Sequence, residues 1–163
     1  VAFCSSDDTW EPGFLETMLK HAKKYIGKVG YCGANLITGA GEVFAESRPK
    51  RFENNQDFAK AVWDAARNYK MFVNFSGILI PKEIFSKVRF KPETRLGEDY
   101  EFLLESISLF GVEYFYVDEL LVRYRVHGSM TTQLRMSLIK SNDEKIMRQV
   151  REIMLDQGMK IRG

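Results

Sequence analysis

Residues 1–12 read VAFCSSDDTWEP, and this stretch decides the fold class. Residues 1–5 are apolar and β-prone, which predicts a buried strand, and the acidic turn Ser6–Thr9 follows. Pro12 then begins an amphipathic helix predicted over about residues 13–26, because the missing N–H of proline does no harm in the first turn of a helix. A strand, a turn and a helix in this order are typical of an α/β domain.

The rest of the chain continues the alternation of strands and helices. The predicted elements are a strand at 29–37 with a hairpin return at 42–45, a helix at 58–66, a strand at 73–80, a short helix at 81–85, a loop at 89–97, a helix at 98–110 ended by Gly111, strands at 114–117 and 120–126, and a helical tail at 134–159. The alternation predicts the α/β class, with a mixed sheet between helices on both faces, an α/β/α sandwich.

The composition is that of a globular domain rather than a disordered chain. The 163 residues are 45% apolar and 28% charged, and the net charge of +2 gives no reason to expect a nucleic-acid partner. Cys4 and Cys32 lie in apolar runs and are predicted to be buried thiols of a reducing compartment. Because the chain starts inside an apolar run with no polar lead-in, we expect sequence upstream of Val1.

Two adjacent carboxylates, Asp7 and Asp8, follow the first predicted strand. Carboxylate oxygens at the end of a strand suit a hard divalent cation, and open α/β sheets bind ligands at this edge. The alternative is that Asp8 or Thr9 caps the helix that follows.

A second acidic pair, Glu98 and Asp99, opens the helix predicted at 98–110. Helical spacing places Asp99 on the same face as Leu103 and Ile107, which is the inward face. A carboxylate there is a candidate general base, because burial raises its proton affinity. The alternative is an acidic helix start with only a favourable interaction with the helix dipole. Glu101 and Glu105 are predicted to be solvated on the outer side.

Two further segments contain candidate binding residues. Strand alternation places Arg125 and His127 on one face at the end of the last strand, where a cation and an imidazole suit a phosphate or a metal-bound diphosphate. The alternative for His127 is a hydrogen bond to the following loop. Gly77 interrupts the strand predicted at 73–80, which indicates either the close approach of a ligand or a bulge.

In this order, these segments resemble the motifs of the inverting glycosyltransferases of family 2. The matching segments are the acidic motif followed by a bulky residue and proline at 3–12, the glycine and proline of Ser76–Pro81, the pair Glu98-Asp99, and Tyr124-Arg125-Val126-His127 with Ser129. The resemblance extends from residue 1 to about residue 133. Ser5 departs from it, because the family usually has an acid at this position, and the family's N-terminal half has no counterpart here.

The resemblance implies a fold of the GT-A, or nucleotide-diphospho-sugar transferase, type, truncated at its N-terminus, with Mg²⁺ or Mn²⁺ as cofactor. It implies a nucleotide-sugar donor and inverting transfer to an acceptor hydroxyl, in the synthesis of cell-surface polysaccharides or glycoconjugates. The implied roles are metal binding by Asp7 or Asp8 with His127, contact with the donor diphosphate by Arg125 and His127, proton abstraction by Asp99 with Glu98 beside it, and acceptor binding by Trp10, Ser76 and Gly77.

The organisation expected from these observations is a metal- and acceptor-binding half at 1–133 and a helical extension at 134–163. Ile146, Val150 and Ile153 of the extension suit packing, whereas Arg148 and Arg151 suit an anionic membrane surface. The expected partners are the sugar donor and a carbohydrate or lipid-linked acceptor, with no nucleic acid. Peripheral membrane association and self-association through an open sheet edge are left open. The expected location is the cytoplasm, with the inner face of the membrane as the alternative.

Two other classes of protein remain as alternatives. A sugar nucleotidyltransferase would also use carboxylates at strand ends, but no glycine-rich phosphate loop is present in this sequence. A non-catalytic carbohydrate-binding half-domain would not need both Asp99 and His127.

Overall fold

The structure is a computed structural model that describes residues 1–67, 73–92 and 98–126, with the backbone alone at 66 and 67. The strands are β1 (Thr9–Trp10), β2 (Val29–Ile37), β3 (Val43–Ser47), β4 (Ile78–Leu79) and β5 (Tyr114–Arg125). The helices are α1 (Phe14–Ala22), α2 (Asn55–Arg67) and α3 (Glu98–Phe110), with short 3₁₀ turns at Phe75–Gly77 and Lys82–Ser86.

The five strands form one mixed sheet with β2 at its centre. Strand β5 runs parallel to β2 from the pair Val29↔Tyr114 to the pair Ile37↔Arg125, and β1 pairs antiparallel with the far edge of β5. On the other side of β2, β4 and β3 pair antiparallel with its first and second halves. The mixed sheet confirms the predicted α/β class.

Helices cover both faces of this sheet, because successive side chains of β2 point to opposite sides. Val29 and Tyr31 join the core formed with α2 and α3, whereas Cys32 and Ala34 join the core formed with α1. The first core includes Phe58, Val62, Phe102, Leu103 and Ile107, and the second includes Phe14, Met18, Val117 and Val122. The layers are therefore helix, sheet and helix, as predicted.

Several predicted boundaries are wrong. The strand expected at 1–5 is reduced to a single bridge between Ala2 and Leu79. The strand expected at 73–80 is mostly a 3₁₀ turn, because the Asn74 side chain accepts a hydrogen bond from the Ser76 N–H and caps that turn. Helix α1 ends at Ala22, and the chain continues in turns to Gly27, whose φ is 78°.

The last part of the sheet and both cysteines also differ from expectation. The two strands predicted at 114–117 and 120–126 are one strand, β5, whose register against β2 shifts at Gly33. Cys32 is a buried free thiol as expected, but Cys4 is exposed. Gly111 has a φ of 60° and ends α3 as predicted. The loop at 93–97, His127 and the helical extension lie outside the described residues. No helix in the described ranges is both long and apolar enough to cross a membrane.

Candidate active site

The acidic turn predicted at Ser6–Thr9 is formed in the structure by residues 5–8, and it lies against the carboxyl end of β5. Within the turn, the Asp8 N–H donates to the Ser5 carbonyl at 3.1 Å. Strand β1 follows at once and pairs with β5 through Thr9↔Arg123 and Trp10↔Val122. This pairing brings Asp7 and Asp8 beside Arg125, the last residue of β5.

Asp8 is a buried carboxylate that joins three segments of the chain. Its side chain is shielded to 6% residual exposure. Its Oδ2 accepts a hydrogen bond from Ser76 Oγ at 2.7 Å, and its Oδ1 accepts one from the Arg125 backbone N–H at 3.0 Å. Both oxygens of Asp8 are therefore hydrogen-bonded within the fold. Asp7, one residue earlier, is half-buried.

The Arg125 guanidinium contacts main-chain carbonyls. Its Nε donates to the Asp7 carbonyl at 3.0 Å, and its Nη1 donates to the carbonyls of Thr38 and Gly39 at 3.1 and 2.8 Å. Thr38 and Gly39 belong to the turn between β2 and β3. The predicted diphosphate-binding residue is thus engaged by two turns that flank the site.

Two of the three predicted acceptor-binding residues have structural roles. Ser76 is fully buried, and its hydroxyl also accepts from the Ser5 N–H at 3.0 Å. A Cβ on Gly77 would lie 3.1 Å from Cys32 Sγ, a tight contact, so the absence of a side chain at Gly77 eases its close packing against β2. Trp10 is half-buried, and its Nε1 donates to the Ser76 carbonyl at 2.7 Å. Acceptor binding by Trp10 stays a prediction.

Asp99 lies in the first turn of α3, where its Oδ1 accepts a hydrogen bond from the Tyr100 N–H at 2.8 Å. Burial raises the pKa of Asp99 to about 6, and the negative charge of Glu98 adds to the rise. Hydrogen bonds from the backbone N–H groups of Tyr100 and of Asp99 itself act in the opposite direction. Glu98 is exposed at the helix start. Asp99 is therefore a carboxylate that holds its proton more tightly than an ordinary aspartate.

The phenol of Tyr124 links the two acidic pairs. Its pKa is raised to about 12, first by burial and then by the negative charges of Asp8, Asp7 and Asp99. All three carboxylates therefore lie within electrostatic range of the Tyr124 phenol. No role was predicted for Tyr124 from the sequence, although it lies in the segment that contains Arg125. The signal that could have found it is its position one residue before Arg125 at the end of a strand.

The described residues include only some of the metal ligands that the sequence predicts. In residues 1–67, 73–92 and 98–126, no group of three or more His, Cys, Asp or Glu side chains is arranged to hold a metal ion. Asp7 offers oxygen ligands of the kind that Mg²⁺ and Mn²⁺ prefer. The second predicted ligand, His127, lies outside the described residues.

The prediction of solvated acids in the middle of α3 is wrong. Glu101 is buried, and its Oε1 accepts from Lys91 Nζ at 2.7 Å. The same Nζ lies 3.1 Å from Glu105 Oε2, and the side chains of Glu101 and Glu105 are 4% and 15% exposed. The physical reason is that α3 is buried on most of its surface, so its acidic face meets the segment that contains Lys91.

The sequence gives no match to any protein-family model, and no curated protein matches it either.

Proposed function

We propose that this chain is the metal- and acceptor-binding part of an inverting glycosyltransferase with a GT-A-type fold. The observation that supports it most is that, in addition to burial, the charges of Asp7, Asp8 and Asp99 all raise the pKa of Tyr124 at the end of β5, while burial raises the pKa of Asp99 itself to about 6. Ligands of open α/β sheets bind at such an edge. The reaction would transfer a sugar from a nucleotide-sugar donor to an acceptor hydroxyl.

Asp99 is the general base in this proposal. A pKa of about 6 leaves the carboxylate mostly ionised near neutral pH and still basic enough to take a proton from a hydroxyl. As the proton moves to Asp99, the acceptor oxygen bonds to the anomeric carbon of the donor. The bond from that carbon to the diphosphate breaks on the opposite face, so the configuration inverts.

Asp7 is the metal ligand in this proposal, with His127 as a second ligand, and Asp8 holds the turn that presents Asp7. A bound Mg²⁺ or Mn²⁺ supplies positive charge that stabilises the departing diphosphate. Trp10, half-buried beside Ser76, is the residue proposed to contact the acceptor.

A non-catalytic sugar-binding module is the second candidate. The observation that favours it is that, over the described ranges, Asp7 has no set of further side chains around it that would complete a metal site. Such a module needs no metal, so Mn²⁺ binding separates the two candidates.

The experiment is a titration of the chain with Mn²⁺, in which the free ion is followed by electron paramagnetic resonance. Asp7→Asn is expected to weaken Mn²⁺ binding by about tenfold or more, because it removes a charged ligand. Asp118→Asn is the matched control, because Asp118 is an exposed carboxylate on β5 that pairs with Arg48. Wild-type affinity in both Asp7→Asn and Asp8→Asn would overturn the proposed metal site.

A further inference from the structure

The environment of Arg125 differs from that of a ligand-binding arginine. Its Nε and Nη1 point at three main-chain carbonyls, one in the acidic turn and two in the turn between β2 and β3. Its backbone N–H donates to Asp8 Oδ1 as well. Arg125 therefore forms hydrogen bonds with Asp7 and Asp8 on one side of β5 and with the turn between β2 and β3, here called the hairpin turn, on the other side.

These bonds connect two turns that lie on opposite sides of β5. The acidic turn lies on the β1 side of β5, and the hairpin turn lies on the β2 side. The Thr38 carbonyl accepts from Arg125 Nη1 and also from the Gly41 N–H, which closes the hairpin turn. A displacement of the hairpin turn is thus transmitted through the guanidinium to the peptide group of Asp7.

We propose that Arg125 is a positioning residue, whose guanidinium holds the acidic turn against the hairpin turn and so sets the position of Asp7. This inference rests on the proposed function only because that function has Asp7 bind a metal ion. It replaces the expectation that Arg125 binds the donor diphosphate. Three of the five N–H donors of the guanidinium are directed at these carbonyls, which favours the positioning role over binding of the diphosphate.

The geometry requires arginine and not merely a positive charge. A guanidinium presents donors in a fixed planar fork, and here Nε and Nη1 donate in different directions to two separate turns. The ammonium group of lysine concentrates its donors at one point on a flexible stem, and it cannot reach both turns at once. Arg125→Lys therefore keeps the charge and removes the connection.

The test measures hydrogen exchange and Mn²⁺ affinity on the whole chain, for Arg125→Lys and for Arg123→Lys. Arg123 is the matched control, because it lies two residues earlier on β5, is exposed, and pairs with Glu11 at 2.7 Å. Arg125→Lys is expected to speed the exchange of the Asp8 and Gly41 amides by about tenfold, since one amide closes each turn. Its Mn²⁺ affinity is expected to fall by about tenfold. Arg123→Lys should change neither.

The outcomes separate this inference from the proposed function. If Arg125→Lys leaves the exchange of both amides unchanged, the connection between the turns is refuted. If exchange is faster in only one turn, the coupling is refuted as well. Unchanged Mn²⁺ affinity together with weaker binding of inorganic pyrophosphate would restore the diphosphate role. If the wild-type chain binds no Mn²⁺, the proposed function fails, and the exchange of the two amides still decides whether Arg125 couples the turns.

Discussion

Replacing Asp99 by Asn should stabilise the fold at neutral and alkaline pH. The pKa of Asp99 is raised from the ordinary value of 3.8 to about 6, chiefly because the carboxyl group is buried. The folded state therefore binds the proton more tightly than the unfolded state does. The carboxyl group costs nothing well below pH 4, where both states are protonated. Its cost grows between about pH 4 and pH 6, where the unfolded state ionises first, and is constant above that range.

The magnitude follows from the two pKa values. A rise from 3.8 to about 6 is roughly two units, and each unit corresponds to about 1.4 kcal/mol, so the full cost is about 3 kcal/mol. From proton linkage, the cost increases by about 2 kcal/mol between pH 4.5 and pH 8. Asn has the same shape and can still accept the hydrogen bond from the Tyr100 N–H, but it carries no charge to bury.

The assay is urea denaturation of wild type and Asp99→Asn at pH 4.5 and pH 8. The difference in free energy of unfolding should shift in favour of the variant by about 2 kcal/mol between the two pH values. Glu16→Gln is the control, because Glu16 is an exposed acid in the first turn of α1 and its substitution should shift this difference by less than about 0.5 kcal/mol. A difference that does not change with pH would refute the argument that burial raises the pKa of Asp99.

Two further substitutions test the contacts that hold the site in place. Ser76→Ala removes the hydroxyl donor to the buried Asp8 carboxylate, so the free energy of unfolding should fall by about 2 to 3 kcal/mol in urea denaturation, whereas Ala at the exposed Ser86 should cost below about 0.5 kcal/mol. Lys91→Met removes a cation from the buried Glu101 and the partly buried Glu105 and should cost about 2 to 3 kcal/mol. The same change at Lys60, in an exposed i,i+4 ion pair, should cost at most about 1 kcal/mol, and equal losses at the two lysines would contradict this reasoning.

Elements with strong local signals were predicted well from the sequence. The bounds of α3 and of β2 match the prediction, because helical periodicity before a glycine and a long β-prone run are both local properties. The strands expected at 1–5 and 73–80 failed for different reasons. A strand exists only where a partner pairs with it, and local capping by Asn74 outweighed the β propensity of its neighbours.

The candidate residues could be chosen from the sequence, but their contacts in the fold could not be predicted. Adjacent acids indicated the chemistry, yet the burial of Asp8 depends on Ser76, which lies 68 positions away in the chain. The same limit explains the buried glutamates of α3, because periodicity cannot show that a second segment covers the polar face of a helix. The occupation of the Arg125 guanidinium by main-chain carbonyls also has no signature in sequence.

The most direct test of Asp99 as the base is the turnover of Asp99→Asn in the full-length protein, which includes the sequence expected upstream of Val1, with a saturating acceptor. Transfer is measured as Mn²⁺-dependent release of nucleoside diphosphate from a panel of uridine, guanosine and thymidine diphosphate sugars, and donor affinity is measured by calorimetry. If Asp99 is the base, the variant should turn over about 10² to 10⁴ times more slowly and should bind the donor nearly as well as wild type. Turnover within about threefold of wild type would contradict the account and make Glu98 the next candidate.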